Sequence, residues 1–249
     1  MTETTDSEST PPRDLPAREG RHRTVGGNAL RAAVLGANDG LVSNFSLVMG
    51  VAGAGGDQGA ILVAGVAGLL AGAMSMALGE WLSVQSAREL YANQLAIEAA
   101  ELAEEPEEEE NELRLIYEAK GVPTDVARDV AHRIVYGDRA VALETMAREE
   151  LGIDPKSLGG SAWVAAGTSF ALFAMGAIVP VVPFLFLTGT TAIVASAVLA
   201  GLALFGVGAS ITVVTGRGAI RSGLRQLAFG MAAAAITYGI GTLLGTAIS

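Results

Sequence analysis

No cysteine occurs in the 249 residues, which removes disulfides, thiolate metal sites and cysteine nucleophiles. Charge is scarce too: 17% of residues are charged against 51% hydrophobic, and mean hydropathy is +0.44. That balance is closer to packed membrane helices than to a water-soluble domain. The charges are missing in blocks. Residues 157–216 are sixty consecutive positions with none, and 226–249 are twenty-four more. A crossing of the hydrocarbon core, about 30 Å thick, takes roughly 20 apolar residues at about 1.5 Å each. The first block therefore holds two crossings and the second holds one. A net charge of -10 argues against a nucleic-acid partner. The first twenty-five residues are polar and lack an apolar h-region, so no secretory signal is expected; residues 1–28 read as a disordered arm.

Two further crossings lie upstream. Asp39 is the only charge between Arg31 and Asp57, and none lies between Asp57 and Glu80. The expectation is an all-α polytopic membrane protein with five transmembrane helices near 30–54, 60–84, 161–179, 184–215 and 221–246. Pro180 and Pro183 place a tight turn between the third and fourth. The sixteen Lys and Arg residues fall in three groups: five over 13–31, eight over 88–156 and three at Arg217, Arg221 and Arg225. Basic residues in short loops are retained on the cytoplasmic side. The N-terminus and residues 88–157 are then cytoplasmic, and the C-terminus is outside a multi-pass cell-membrane protein. The pairs of helices over 29–87 and the three over 158–249 flank the cytoplasmic segment.

That segment reads as a helical bundle inserted between the second and third spans. Nothing breaks the second helix before Pro106, so it continues into the cytoplasm. Helices follow over 107–120, closed by Gly121, over 124–136, and over 138–151, with Gly152 at its cap. Leu113, Ile116 and Tyr117, then Val126, Val130 and Ile134, then Val141 and Leu143 recur at helical spacing and are the candidate bundle core.

Eight acidic residues occupy the twelve positions 101–112. Glu98 and Glu101 are three apart, as are Glu109 and Glu112, so each pair shares a helix face. Two such pairs facing each other offer four carboxylates to a divalent ion, and a cation relieves the repulsion among them. The same run also fits a solvated acidic face. His132 reads as an ordinary bundle histidine.

Asp39 is eight residues beyond Arg31, about 12 Å along a helix and well inside the hydrocarbon. An ionised group there costs about 2.5 to 3.5 kcal/mol or more, so it should face a partner or a polar path. Asn38, Ser43 and Ser46 are polar neighbours; a structural Asp at a kink made by Gly40 is the other reading. Gly65, Gly68 and Gly72 form a small-residue face for close helix packing. Trp81 and Trp163 read as interfacial anchors.

GANDGLVSNFSLVMG over 36–50 resembles the first-helix signature of the vacuolar iron transporter family, and AGAMSMALGEWLSVQSARE over 71–89 is similar to its second helix and cytoplasmic extension. EEPEEEENELRLIYEAKG over 104–121 and ALETMAREELGI over 142–153 resemble its cytoplasmic metal-binding domain. The resemblance implies metal ligands at Glu98, Glu101, Glu109, Glu112, Met146 and Glu149, and a transport path that includes Asp39 and Met76. It also implies a homodimer and exchange of ferrous iron for protons. A thioether at Met146 would soften an otherwise hard oxygen site toward ferrous iron. In one respect the chain departs: the eukaryotic branch has an acid inside the second helix, where this chain has Gly65, Gly68 and Gly72, with Glu80 nearer the cytoplasmic end.

The expected function is export of a divalent metal, ferrous iron or manganese, in exchange for protons, with the lipid bilayer as surroundings. Neither a prosthetic group nor an enzymatic activity is expected. The alternatives are a membrane-anchored di-iron oxidase and a metal-buffering membrane protein. Oxidase sites of that type use Glu-x-x-His on two helices, and this chain's single instance is Glu19 to His22 in the arm. An acid within the bilayer, Asp39, speaks against a mere buffer.

Overall fold

The computed structural model describes residues 25–155, 160–210, 212 and 218–248. Among them the chain is all helical: α1 (Val25–Gly53), α2 (Gln58–Glu104), α3 (Pro106–Ala119), α4 (Thr124–Val135), α5 (Arg139–Glu149), α6 (Ala162–Ile178), α7 (Val182–Phe186), α8 (Gly189–Ser210) and α9 (Ala219–Ile248). The arm through residue 24, with Glu19 and His22, lies outside the described residues, as do Lys156, Arg217 and Ser249. Residues 25–28, assigned to the arm, instead open α1.

Helix α2 begins where Asp57 caps it, accepting from the Ala60 amide at 2.7 Å. It then runs 47 residues without interruption, about 70 Å at about 1.5 Å per residue and more than twice what one crossing needs. Its first half is apolar; its second half carries Glu89, Glu98 and Glu101. Pro106 starts α3 where a missing N–H costs nothing. Gly121, with φ +90°, supplies the left-handed turn that ends it.

Three of the five expected spans, α2, α8 and α9, are long and apolar enough to cross a membrane. Helix α1 is diluted by Asn38, Asp39 and Asn44, and α6 is apolar but only 17 residues long, about 26 Å. The helix expected over 184–215 is two elements. Leu187 adopts extended backbone and Gly189 a φ of +59°, separating α7 from α8.

The apolar helices pack around α1, which touches α2, α6, α8 and α9. Leu41, Phe45, Val48, Met49 and Ala52 of α1 are buried at helical spacing and meet Ile61, Val181, Phe184 and Leu204. Gly40 explains itself here without a kink, since α1 runs unbroken through it. A Cβ at Gly40 would strike the Phe173 carbonyl of α6, and one at Gly176 would strike the Ala37 carbonyl of α1. The two backbones cross in direct contact, as small residues permit.

Helices α3, α4 and α5 pack on one another and on α2. Leu113, Ala131 and Met146 are fully buried in this second core, flanked by Leu102, Tyr117 and Ile134. Its α4 face is Ala127 and Ala131; Val126, Val130 and Val141, expected inside, are exposed. Alanines let α3 and α4 approach closely, which turns the valines, one position away on the helical wheel, outward.

Candidate metal site and interhelical cleft

Glu98 of α2, Glu109 of α3 and Glu150 at the C-terminal end of α5 come together where the three helices meet. One carboxylate oxygen from each lies within 4.8 Å of the other two. Glu98 is 2% and Glu109 6% exposed, unusual for carboxylates, which are seldom buried unless partnered. The two carboxyls lie close enough to share a proton. Oε1 of Glu98 and Oε2 of Glu109 are buried without a hydrogen-bond partner among the described residues.

Protons stand in for counterions here. Burial, followed by the charges of Glu150 and Glu109, pushes the Glu98 carboxyl up to about 8. Burial, followed by Glu112 and Glu150, pushes Glu109 up to about 7. Glu150 is raised by burial and then by Glu112 and Glu101. A divalent cation meets both unsatisfied needs at once: it supplies the bonds that the orphaned oxygens lack and the positive charge that the cluster lacks.

The expected ligands are placed unequally. Glu101 and Glu112 are exposed at the rim and act on the buried pair through their charge. Met146 is wholly buried in the bundle core. Glu149 turns away to an ion pair with Lys120. Glu150, which the resemblance did not single out, takes the place in the cluster. It lies four residues after Met146, and Glu149 three, so both spacings fit one helix face. The discriminating signal was Lys120, which follows the end of α3 and engages Glu149. His132 contacts Glu110 at 3.1 Å and lies tilted against Tyr136 at 4.6 Å between ring centroids; it is not a member of the cluster. Glu104, Glu105, Glu107 and Glu108 are exposed, and Glu105 is raised chiefly by Glu108.

A second polar feature lies among the apolar helices. Asp39 and Ser43 of α1 line a cleft of about 280 Å³ with Ser75 and Met76 of α2 and Phe173 of α6. Asp39 and Met76, far apart in sequence, thus share one wall-to-wall space. The glycines of α2 make it possible: a Cβ at Gly72 would collide with the Phe173 ring, and one at Gly65 would reach Val181 at 2.8 Å. Glu80 is exposed one turn further along α2. Trp81 and Trp163 face each other at 5.8 Å between ring centroids.

The family model described as the VIT family matches residues 30–242. A vacuolar iron transporter of Acanthamoeba castellanii is 35% identical over 236 residues, 93% of this chain and 85% of the relative. Vacuolar iron transporter homolog 1 of Oryza sativa subsp. japonica is 36% identical over 216 residues, 87% of this chain and 74% of its own. Vacuolar iron transporter 1 of Arabidopsis thaliana is 31% identical over 222 residues, 88% and 86%. The matched stretch takes in the cleft, the carboxylate cluster and every apolar helix, and the chain belongs to the vacuolar iron transporter (VIT) family.

Proposed function

We propose that the protein exports a divalent metal from the cytoplasm, ferrous iron and also manganese, in exchange for protons. The observation that carries this reading is the cleft: a carboxylate, Asp39, and a thioether, Met76, from two helices line one open space between apolar helices. An acid carried on an apolar helix is an expected element of an ion path, and a thioether among oxygens favours ferrous iron over calcium or magnesium. The relatives' names point the same way.

In this reading the chain spans the bilayer five times, α1, α2, α6, α8 and α9 crossing, with the N-terminus and the bundle of α3, α4 and α5 cytoplasmic and the C-terminus outside. Glu98, Glu109 and Glu150 capture the ion; Glu101 and Glu112 supply negative potential around them, Glu149 is held by Lys120 beside them, and Met146 offers its sulfur from the core. The working unit is a homodimer in the cell membrane. Asp39 alternates between ion and proton, which couples the two fluxes.

The test is transport by purified protein in liposomes loaded with an iron-sensitive dye. Ferrous iron should move down an imposed pH gradient in the direction opposite to protons. Liposomes whose iron uptake ignores the gradient would refute proton exchange.

A further inference from the structure

The cleft contains a group that the transport reading does not use. Asn44 of α1 is 2% exposed, and its side-chain nitrogen donates to two backbone carbonyls on two other helices: Gly65 of α2 at 3.1 Å and Ala177 of α6 at 2.6 Å. Each amide proton therefore has its own acceptor. The opposite orientation would set the side-chain oxygen against both carbonyls, so the amide cannot turn over. Its Oδ1 is thereby aimed, and among the described residues it is buried with no donor. An orphaned acceptor of this kind calls for an explanation.

The direction of that oxygen is shown by Gly68. A Cβ at Gly68 would come within 2.6 Å of Asn44 Oδ1, so the oxygen faces the bare strip of α2 that borders the cleft. Asn44 and Gly68 both line the cleft with Asp39 and Met76. Ser43, the nearest hydroxyl along α1, spends its proton on the Asp39 carbonyl at 2.6 Å.

We propose that Asn44 Oδ1 is a ligand of the divalent cation in the cleft, a neutral oxygen that joins the Asp39 carboxylate and the Met76 sulfur. This rests on the transport reading above and adds a binding residue to it. An amide oxygen is a recognised ligand for hard and borderline divalent ions. Here it is held in place by two helices before any ion arrives, so ordering it costs the ion nothing at binding. The same two hydrogen bonds tie α1 to α2 and α6, which places the ligand at the junction of three helices.

Two variants separate the ligand role from the tie. Asn44→Ala removes both the oxygen and the tie. Gly68→Ala leaves Asn44 and its two amide protons in the chain and sets a Cβ within 2.6 Å of the oxygen, with the flexible end of Leu47 displaced besides. Transport of ferrous iron should be measured in proteoliposomes across a concentration series, alongside the melting midpoint in detergent. Both variants should show KM for ferrous iron raised on the order of tenfold. Gly68→Ala should melt within a few degrees of wild type. Wild-type KM in both variants, with a lowered midpoint or maximal rate in Asn44→Ala alone, would overturn the assignment and leave Asn44 as a helix tie or the host of a water. A wild-type protein that carries no iron would overturn the transport reading itself, and the ligand role with it.

Discussion

Glu98 and Glu109 keep protons near neutral pH that a bound cation must displace. With Glu98 near 8 and Glu109 near 7, metal binding at pH 7 should release roughly one proton or more. Calorimetry of ferrous iron or manganese binding in two buffers of different ionisation enthalpy measures that release. Affinity should rise on the order of tenfold per unit between pH 6 and 8. The metal-free protein should behave oppositely. Both carboxyls are raised above their ordinary value of 4.5, so their contribution to stability is complete below about 4.5 and is lost as pH rises through about 7 to 8. Thermal melting of metal-free protein should therefore give a lower midpoint at pH 8.5 than at pH 5.5, with added metal closing the gap.

The neighbouring glutamates give a sharper residue-level contrast. Glu150→Gln should weaken metal binding on the order of tenfold or more, because it removes a charge from the cluster. Glu149→Gln removes a partly exposed ion pair with Lys120, worth about 1 kcal/mol or less, and should leave binding within a factor of about two. Equal losses in the two variants, read by the same calorimetry, would count against the cluster geometry.

At the scale of elements, the α1–α6 crossing leaves no room for added volume. Gly176→Ala puts a Cβ against the Ala37 carbonyl, with no side chain that can swing aside, and should cost about 1–3 kcal/mol. Gly167→Ala on the same helix meets open space and serves as the control, both read as melting midpoints in one detergent. The helix ends of the bundle were legible in the sequence because their signals are local: Pro106, Gly121 and Asp138 each act on the turn beside them. The inward face of α4 was not. Val126 and Val130 satisfy a helical period as well as Ala127 and Ala131 do, and the choice is made by how closely α3 approaches. The split between α7 and α8 was hidden for a similar reason, since Leu187 and Thr188 are no breakers and only the turn that Gly189 completes separates the helices.

At the scale of the whole molecule, the carboxylate cluster and the cleft are joined by one continuous helix. Glu98 and Met76 are 22 positions apart on α2, about 33 Å at about 1.5 Å per residue. Asp39 and the acidic run could be found from sequence because charge in an apolar context stands out. Asn44 could not, since an asparagine in a helix acquires its meaning from Gly65 and Ala177, 21 and 133 positions away.

In the proposed transport reading, capture and passage are separable steps on one α2, and iron flux through liposomes resolves them most directly. The variant lacking Glu98, Glu101, Glu109 and Glu112 should need roughly tenfold more ferrous iron for half-maximal flux and keep its maximal rate. Asp39→Ala should lose flux at every iron concentration, by about a hundredfold or more. Asp39→Ala liposomes that carry iron as fast as wild type under the same pH gradient would contradict the path through the cleft.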